Sequence, residues 1–274
     1  MKPNLKWMLA AAGLICLGGY EASATPNTGD STLQAAHSPA ATRYLKKHVR
    51  TLAGDVPESY LFTYDSQHRL TGTAQKDAEQ ENKREFAYNQ QGQLSRMVIW
   101  SDGKRHAFLY QYSPDGSAAT GIERIFEDGD DDQPVSTVNW KFTIENGQVT
   151  QIKKDSKDDP EAFHHQVIRY DGKNVRSIAS VAANGKDTVG VMELVYGKKT
   201  NPYIGARMPL LMHPAAMVLL MSDNEVIAMS FRSKQAKATV TTRYEYKYDG
   251  QGYPVSGVEK DGGEVSATET FEYQ

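Results

Sequence analysis

Three groups of residues have types and spacings that could support chemistry. The first is the acidic run Glu127-Asp-Gly-Asp-Asp-Asp132. Asp128, Asp130 and Asp132 repeat at every second position, as the first ligands of a calcium loop do. Such a loop, however, needs glycine at its sixth position and a bidentate glutamate at its twelfth. Here the glycine comes second and Asn139 stands at the twelfth place, so a solvated hairpin loop accounts better for the run and the three aspartates are only a weak calcium candidate. The second group is ionisable. His164 and His165 are adjacent, which on a strand sends them to opposite faces and prevents joint chelation. Glu85, Glu145, Glu193 and Glu245 lie in or beside strand-like runs, and two of them converging across a sheet would make a glycosidase-like carboxylate pair. The third group is apolar: Tyr203, Met208, Leu211, Met212, Met217, Leu220 and Met221 sit in the most apolar stretch beyond the N-terminal segment. They are the candidate contacts for an apolar ligand.

Nothing assembles these groups into a known catalytic set. The chain lacks H-E-x-x-H, G-x-S-x-G and a phosphate loop. Its single cysteine, Cys16, lies in a segment that reads as an export signal. Lys2 and Lys6 precede the short apolar stretch Trp7 to Leu17, and Ala22-Ser23-Ala24 forms a small-x-small cleavage site. Ile15, immediately before Cys16, is not the small residue that lipoprotein processing prefers, so soluble export is expected over acylation. Cleavage after residue 24 would leave a chain with no disulfide and no thiolate. The net charge of −3 is close to balance, which argues against bulk nucleic-acid affinity.

The elements that must position these groups follow from periodicity. Residues 25–38 are rich in Ala, Ser, Thr, Gly and Asn and read as a flexible tether. Ser38 and Pro39 suit a helix start, and Tyr44, Leu45, Val49 and Leu52 fall at helical spacing before Gly54. This predicts a short helix, with Arg43, Lys46, Lys47 and Arg50 on a solvated face. A repeated unit then takes over. Phe62-Thr-Tyr64-Asp65, Phe86-Ala-Tyr88-Asn89, Tyr110-Gln-Tyr112-Ser113, Phe142-Thr-Ile144-Glu145, Ile168-Arg-Tyr170-Asp171 and Tyr246-Lys-Tyr248-Asp249 each lead through a turn into a second alternating run. Alternation of period two around such a turn is the mark of a β-hairpin. In five of these six copies glycine supplies the turn's positive φ; His68 takes that place in the first, which points to a looser turn there.

The expected fold class is therefore all-β: an antiparallel up-and-down meander of serial β-hairpins forming a strongly curved sheet or half-barrel. A single domain over 39–274 contains it. Pro209 and Pro214 interrupt the repeats, and 214–222 fits a short helix serving as an apolar plug, or as a lid over a ligand.

The Tyr-x-Tyr-Asp-x-x-Gly units resemble the tyrosine-aspartate repeats of bacterial toxin-shell proteins. More closely, the chain is similar to a family of exported bacterial β-proteins classed as a domain of unknown function. The similarity rests on serial hairpins, then Tyr196-Gly197, Asn201-Pro202 and the terminal Tyr246-Lys-Tyr248-Asp249-Gly250-Gln251-Gly252-Tyr253-Pro254, over roughly residues 58–274. The family's frequent lipid anchor is not matched by the Ile15-Cys16 context. The resemblance implies a fold, but no activity, cofactor or catalytic residue.

The expected function is a non-enzymatic binding or scaffold module exported to the periplasm or cell surface, with an envelope protein, peptide, glycan or apolar molecule as partner and no cofactor. Two alternatives stay open: a carrier of a lipid or other apolar ligand with 208–221 as lid, and a carboxylate-dependent hydrolase.

Overall fold

The computed structural model describes residues 43–76, 81–101, 103–127, 133–155, 165–182, 184–206, 221–234 and 239–274. Sixteen strands follow one another: β1 Leu45–Leu52, β2 Glu58–Tyr64, β3 Leu70–Lys76, β4 Glu81–Tyr88, β5 Leu94–Ser101, β6 Lys104–Tyr112, β7 Ala118–Glu127 and β8 Ser136–Glu145. The second half comprises β9 Gln148–Asp155, β10 His165–Asp171, β11 Asn174–Val181, β12 Thr188–Thr200, β13 Asn224–Ser233, β14 Thr239–Tyr248, β15 Pro254–Asp261 and β16 Glu264–Tyr273. Each strand pairs antiparallel with its neighbours in sequence, and β1 pairs with β16. The meander is thus a closed barrel, not a half-barrel, and closure removes the exposed edges that an open sheet would have to protect.

The N-terminal helix expected before Gly54 is replaced over Leu45–Leu52 by β1. A β-bulge between Leu45 and Lys47 inserts an extra residue, so Leu45 and His48 are both buried although three positions apart. That spacing imitates a helix turn, although its cause is a local defect in a period of two. Arg50, assigned to a solvated helix face, is instead 3% exposed inside the barrel.

The repeats form hairpins as expected, and their polar residues build the turns. Asp65, Asn89 and Asp249 each accept two backbone N–H bonds through Oδ1, at positions two and four residues on. The turn then closes through a left-handed residue, Gly92 (φ 77°) or Gly252 (φ 84°). His68 adopts φ 60° in the same turn, not a looser one, with its N–H on the Asp65 carbonyl and its ring stacked 4.6 Å from Tyr44.

These turns gather at one end of the barrel, called the turn end; the opposite end is the loop end. The first aromatic or aliphatic residue of the unit packs in the core: Phe62, Phe86, Tyr110, Phe142 and Ile168 are buried, as is Phe271 on the last strand, and Tyr246 packs partly buried against the core. The second, the tyrosine, lies half-buried at the turn end and reaches sideways. Tyr64, Tyr88, Tyr112, Tyr170, Tyr196 and Tyr273 donate their hydroxyls to the carbonyls of Leu45, Leu70, Leu94, Val149, Val175 and Pro254, at 2.7–3.1 Å. Each bond joins a hairpin unit to the strand before it. Burial pushes the phenols of Tyr88, Tyr112 and Tyr196 up to about 12, so these donors keep their protons well into the alkaline range.

Tyr88→Phe should therefore cost about 1–2 kcal/mol, the loss of one bond plus a carbonyl left without its donor. Equilibrium urea unfolding would measure it; an unchanged midpoint would make the tyrosine row ornamental to stability.

Candidate functional site

Alternation divides every strand between an inner and an outer face, and cross-strand register fixes which is which. On β7, Ala119, Gly121 and Glu123 point inward while Thr120, Ile122 and Arg124 are exposed outside. The outer wall carries a charged residue on strand after strand: Arg96, Arg124, Lys141, Arg169, Glu193 and Arg243 are all exposed. The inner wall is apolar towards the turn end, where Leu45, Leu70, Leu94, Val149 and Val175 pack with the aromatic residues.

Towards the loop end the inner wall becomes polar and ionised. Arg50 donates from Nε and Nη2 to the two carboxylate oxygens of Glu259, at 2.7 and 2.8 Å, with both side chains almost fully buried. Glu269 lies beside them, 3.2 Å from His48 Nε2, and His48 Nδ1 is 3.0 Å from the Tyr203 hydroxyl. Burial opposes the charge on Arg50, but the hydrogen bonds and charge of Glu259, with Glu269 adding, leave its pKa raised. Burial raises Glu259 as well, and the neighbouring carboxylate Glu269 adds to this against the pull of Arg50. Across the barrel, Glu123 accepts from Trp140 Nε1 at 3.1 Å and lies 2.9 Å from His106 Nδ1. The ammonium of Lys154 sits 5.9 Å from the Trp140 ring centre. Phe231 faces inward opposite Met192 and is 37% exposed. The candidate site is this charged loop end.

The sequence-predicted residues distribute differently. Tyr203 and Met221 are 7% and 6% exposed and belong to the core. Tyr203 is carried inward by the segment after β12. Asn201 anchors that segment, donating from Nδ2 to the Ser222 carbonyl and accepting the Tyr203 N–H. Gly197 makes room nearby for the buried Glu225 carboxyl, which a Cβ at that position would displace. Met208, Leu211, Met212, Met217 and Leu220 lie outside the described residues, as do nearly all of the plug helix, the export signal, the tether, and Asp128, Asp130 and Asp132. Among the described residues no cluster of three or more His, Cys, Asp or Glu is arranged for a metal ion.

The four strand glutamates considered for a hydrolase do not converge. Glu85, Glu193 and Glu245 alternate to the outer face, Glu145 is exposed at the end of β8, and Glu85 and Glu245 pair with Lys83 and Lys260 there. The ionisable groups that do meet are Arg50, Glu259 and Glu269; Glu123 meets His106 on the other side of the barrel, and Arg84 faces inward near Tyr60. A sequence signal for several of them exists: Arg84 is in phase with Phe86 and Tyr88, and Glu269 with Phe271 and Tyr273. A charge in phase with its strand's aromatic residues must face the interior.

No family model matches the chain, and no curated protein does. Among solved structures it is similar to a porin-like protein from Bacteroides uniformis ATCC 8492, at 15% identity and a TM-score of 0.50, over 84% of this chain and 98% of that one. A porin-like protein from Bacteroides vulgatus ATCC 8482 matches at 10% identity and 0.43, over 85% and 99%. At 15% identity the first likeness concerns the fold: a closed antiparallel barrel.

Proposed function

We propose that the protein is a non-catalytic binding module of the cell envelope, an exported barrel surrounded by water and not by lipid. Its core closes the turn end, and its polar loop end receives the ligand. One observation carries the reading: charged residues recur along the outer wall, while the inner wall at the turn end is a packed apolar core. A lipid-spanning barrel has the reverse pattern, an apolar outer band around a polar lumen. Each outward Arg or Lys at the bilayer midplane would cost about 2–4 kcal/mol, and here one such charge recurs on most strands. The packed turn end likewise speaks against an open pore. The export signal and the resemblance to exported hairpin proteins support an envelope location. The Arg50–Glu259–Glu269 cluster is buried and paired within itself, which speaks against its groups serving as catalytic acid or base.

Purified protein should stay monodisperse in detergent-free buffer, fail to float with liposomes and give no conductance in planar bilayers. A requirement for detergent, or channel currents, would overturn the reading.

A further inference from the structure

We propose that Arg84 holds an oxyanion, a carboxylate or phosphate group of the ligand, inside the loop end of the barrel. This rests on the reading of the loop end as the binding face and names the ligand chemistry that face selects.

Two strand arginines, Arg50 and Arg84, share the phase of inward aromatic residues. Arg50 is answered by Glu259 in a bidentate pair. Arg84 has no such answer. Directly opposite it stand Thr73 on β3 and Ile99 on β5, and the next inward positions on its own strand are Asn82 and Phe86. The ionisable group whose field reaches it is the Tyr60 phenol. Glu58 is the inward carboxylate closest along β2, and one of its oxygens already accepts the Tyr60 hydroxyl at 2.6 Å. Among the described residues no carboxylate is hydrogen-bonded or ion-paired to Arg84. Burial lowers its pKa, which marks an environment hostile to a lone cation.

An interior guanidinium without a counter-ion is costly to the fold. A ligand oxyanion would remove that cost through two parallel charge-assisted hydrogen bonds, the geometry the planar guanidinium offers. The surroundings suit such a ligand. Thr73, Gln75, Asn82 and Ser101 face the same space by register and supply neutral donors and acceptors, and Ile99 offers an apolar flank. Arg84 is half-buried, not sealed, and the inward Phe231 is 37% exposed, so the loop end is reachable from solvent.

The test titrates inorganic phosphate and, separately, acetate into the wild type and Arg84→Gln, following arginine Nε–H resonances by NMR and the melting midpoint. In the wild type at least one anion should shift the Arg84 resonance saturably and raise the midpoint. Saturation by phosphate alone or acetate alone identifies the oxyanion class. Arg84→Gln should lose both responses and, without anion, melt at or above the wild type, because it deletes an unpaired charge. Arg84→Lys keeps the charge without the fork and should bind several-fold more weakly. An Arg84→Gln protein that melts well below the wild type or fails to fold makes Arg84 structural and overturns the proposal. So does a wild-type resonance unmoved by either anion, or a response that persists in Arg84→Gln. A barrel that needs detergent yet binds phosphate through Arg84 would refute the water-surrounded reading alone.

Discussion

Arg50→Ala should destabilise the barrel by about 3–5 kcal/mol, the effect of removing one partner from a buried ion pair. The magnitude follows from what remains: Glu259 and Glu269, both below 5% exposure, would repel each other without the charge of Arg50 beside them. The double change Arg50→Met with Glu259→Leu should recover most of the loss, since an apolar pair of similar volume needs no counter-charge. The exposed Lys260–Glu245 pair on the outer wall, with its glutamate 61% exposed, should contribute only about 0–1 kcal/mol. The deficit of Arg50→Ala should also depend on pH. Burial and Glu269 already raise Glu259, and removing Arg50 raises it further. A carboxyl raised in the folded state binds its proton more tightly than in the unfolded chain. Stability therefore falls as pH rises from the ordinary glutamate range through the raised value. Urea midpoints of Arg50→Ala should accordingly drop more steeply from pH 5 to pH 8 than those of the wild type. A near-wild-type midpoint at both pH values would refute the role of this pair.

That cluster also shows where reading the sequence stops. The hairpins were legible because their information is local: Tyr-Asp-x-x-Gly specifies a turn within seven residues, and the aromatic alternation specifies the face. Tyr64, Tyr88, Tyr112 and Tyr248 do end their strands as the repeat requires, and Tyr170 stands one residue before the end of β10. Closure was not legible, because it depends on strand number and shear around the whole barrel and is realised between Leu45 and Tyr273, the two ends of the described fold. The Arg50–Glu259 pair spans 209 positions and has no local trace. Phase alone, though, could have sorted the charges. Glu245 lies between Tyr244 and Tyr246 and so faces out, whereas Glu269 is two residues before Phe271 and so faces in. The helix reading at Leu45–Leu52 failed for a different physical reason: a bulge that shifts the phase by one residue is silent in composition.

The second large effect tests closure itself. Phe271→Ala should cost about 3–5 kcal/mol, as expected for a buried phenylalanine whose cavity cannot collapse freely. Phe271 is 5% exposed on β16, the strand that meets β1. Its ring stacks on His48 at 4.8 Å and contacts Tyr203 and Tyr246 at 6.3 and 6.2 Å. The truncation therefore strikes three elements at once: the first strand, the last hairpin and the segment that carries Tyr203 inward. Leu109→Ala removes a similar apolar side chain from the outer wall, where it is 42% exposed, and should change stability by less than about 1 kcal/mol. The contrast separates an apolar inside from an apolar outside. A lipid-facing wall would reverse it, with Leu109 important in the bilayer and Phe271 tolerant of change beside a wet lumen. Measured by urea unfolding in detergent-free buffer, a Phe271→Ala loss no greater than that of Leu109→Ala would refute both the packed seam and the inward register on which it depends.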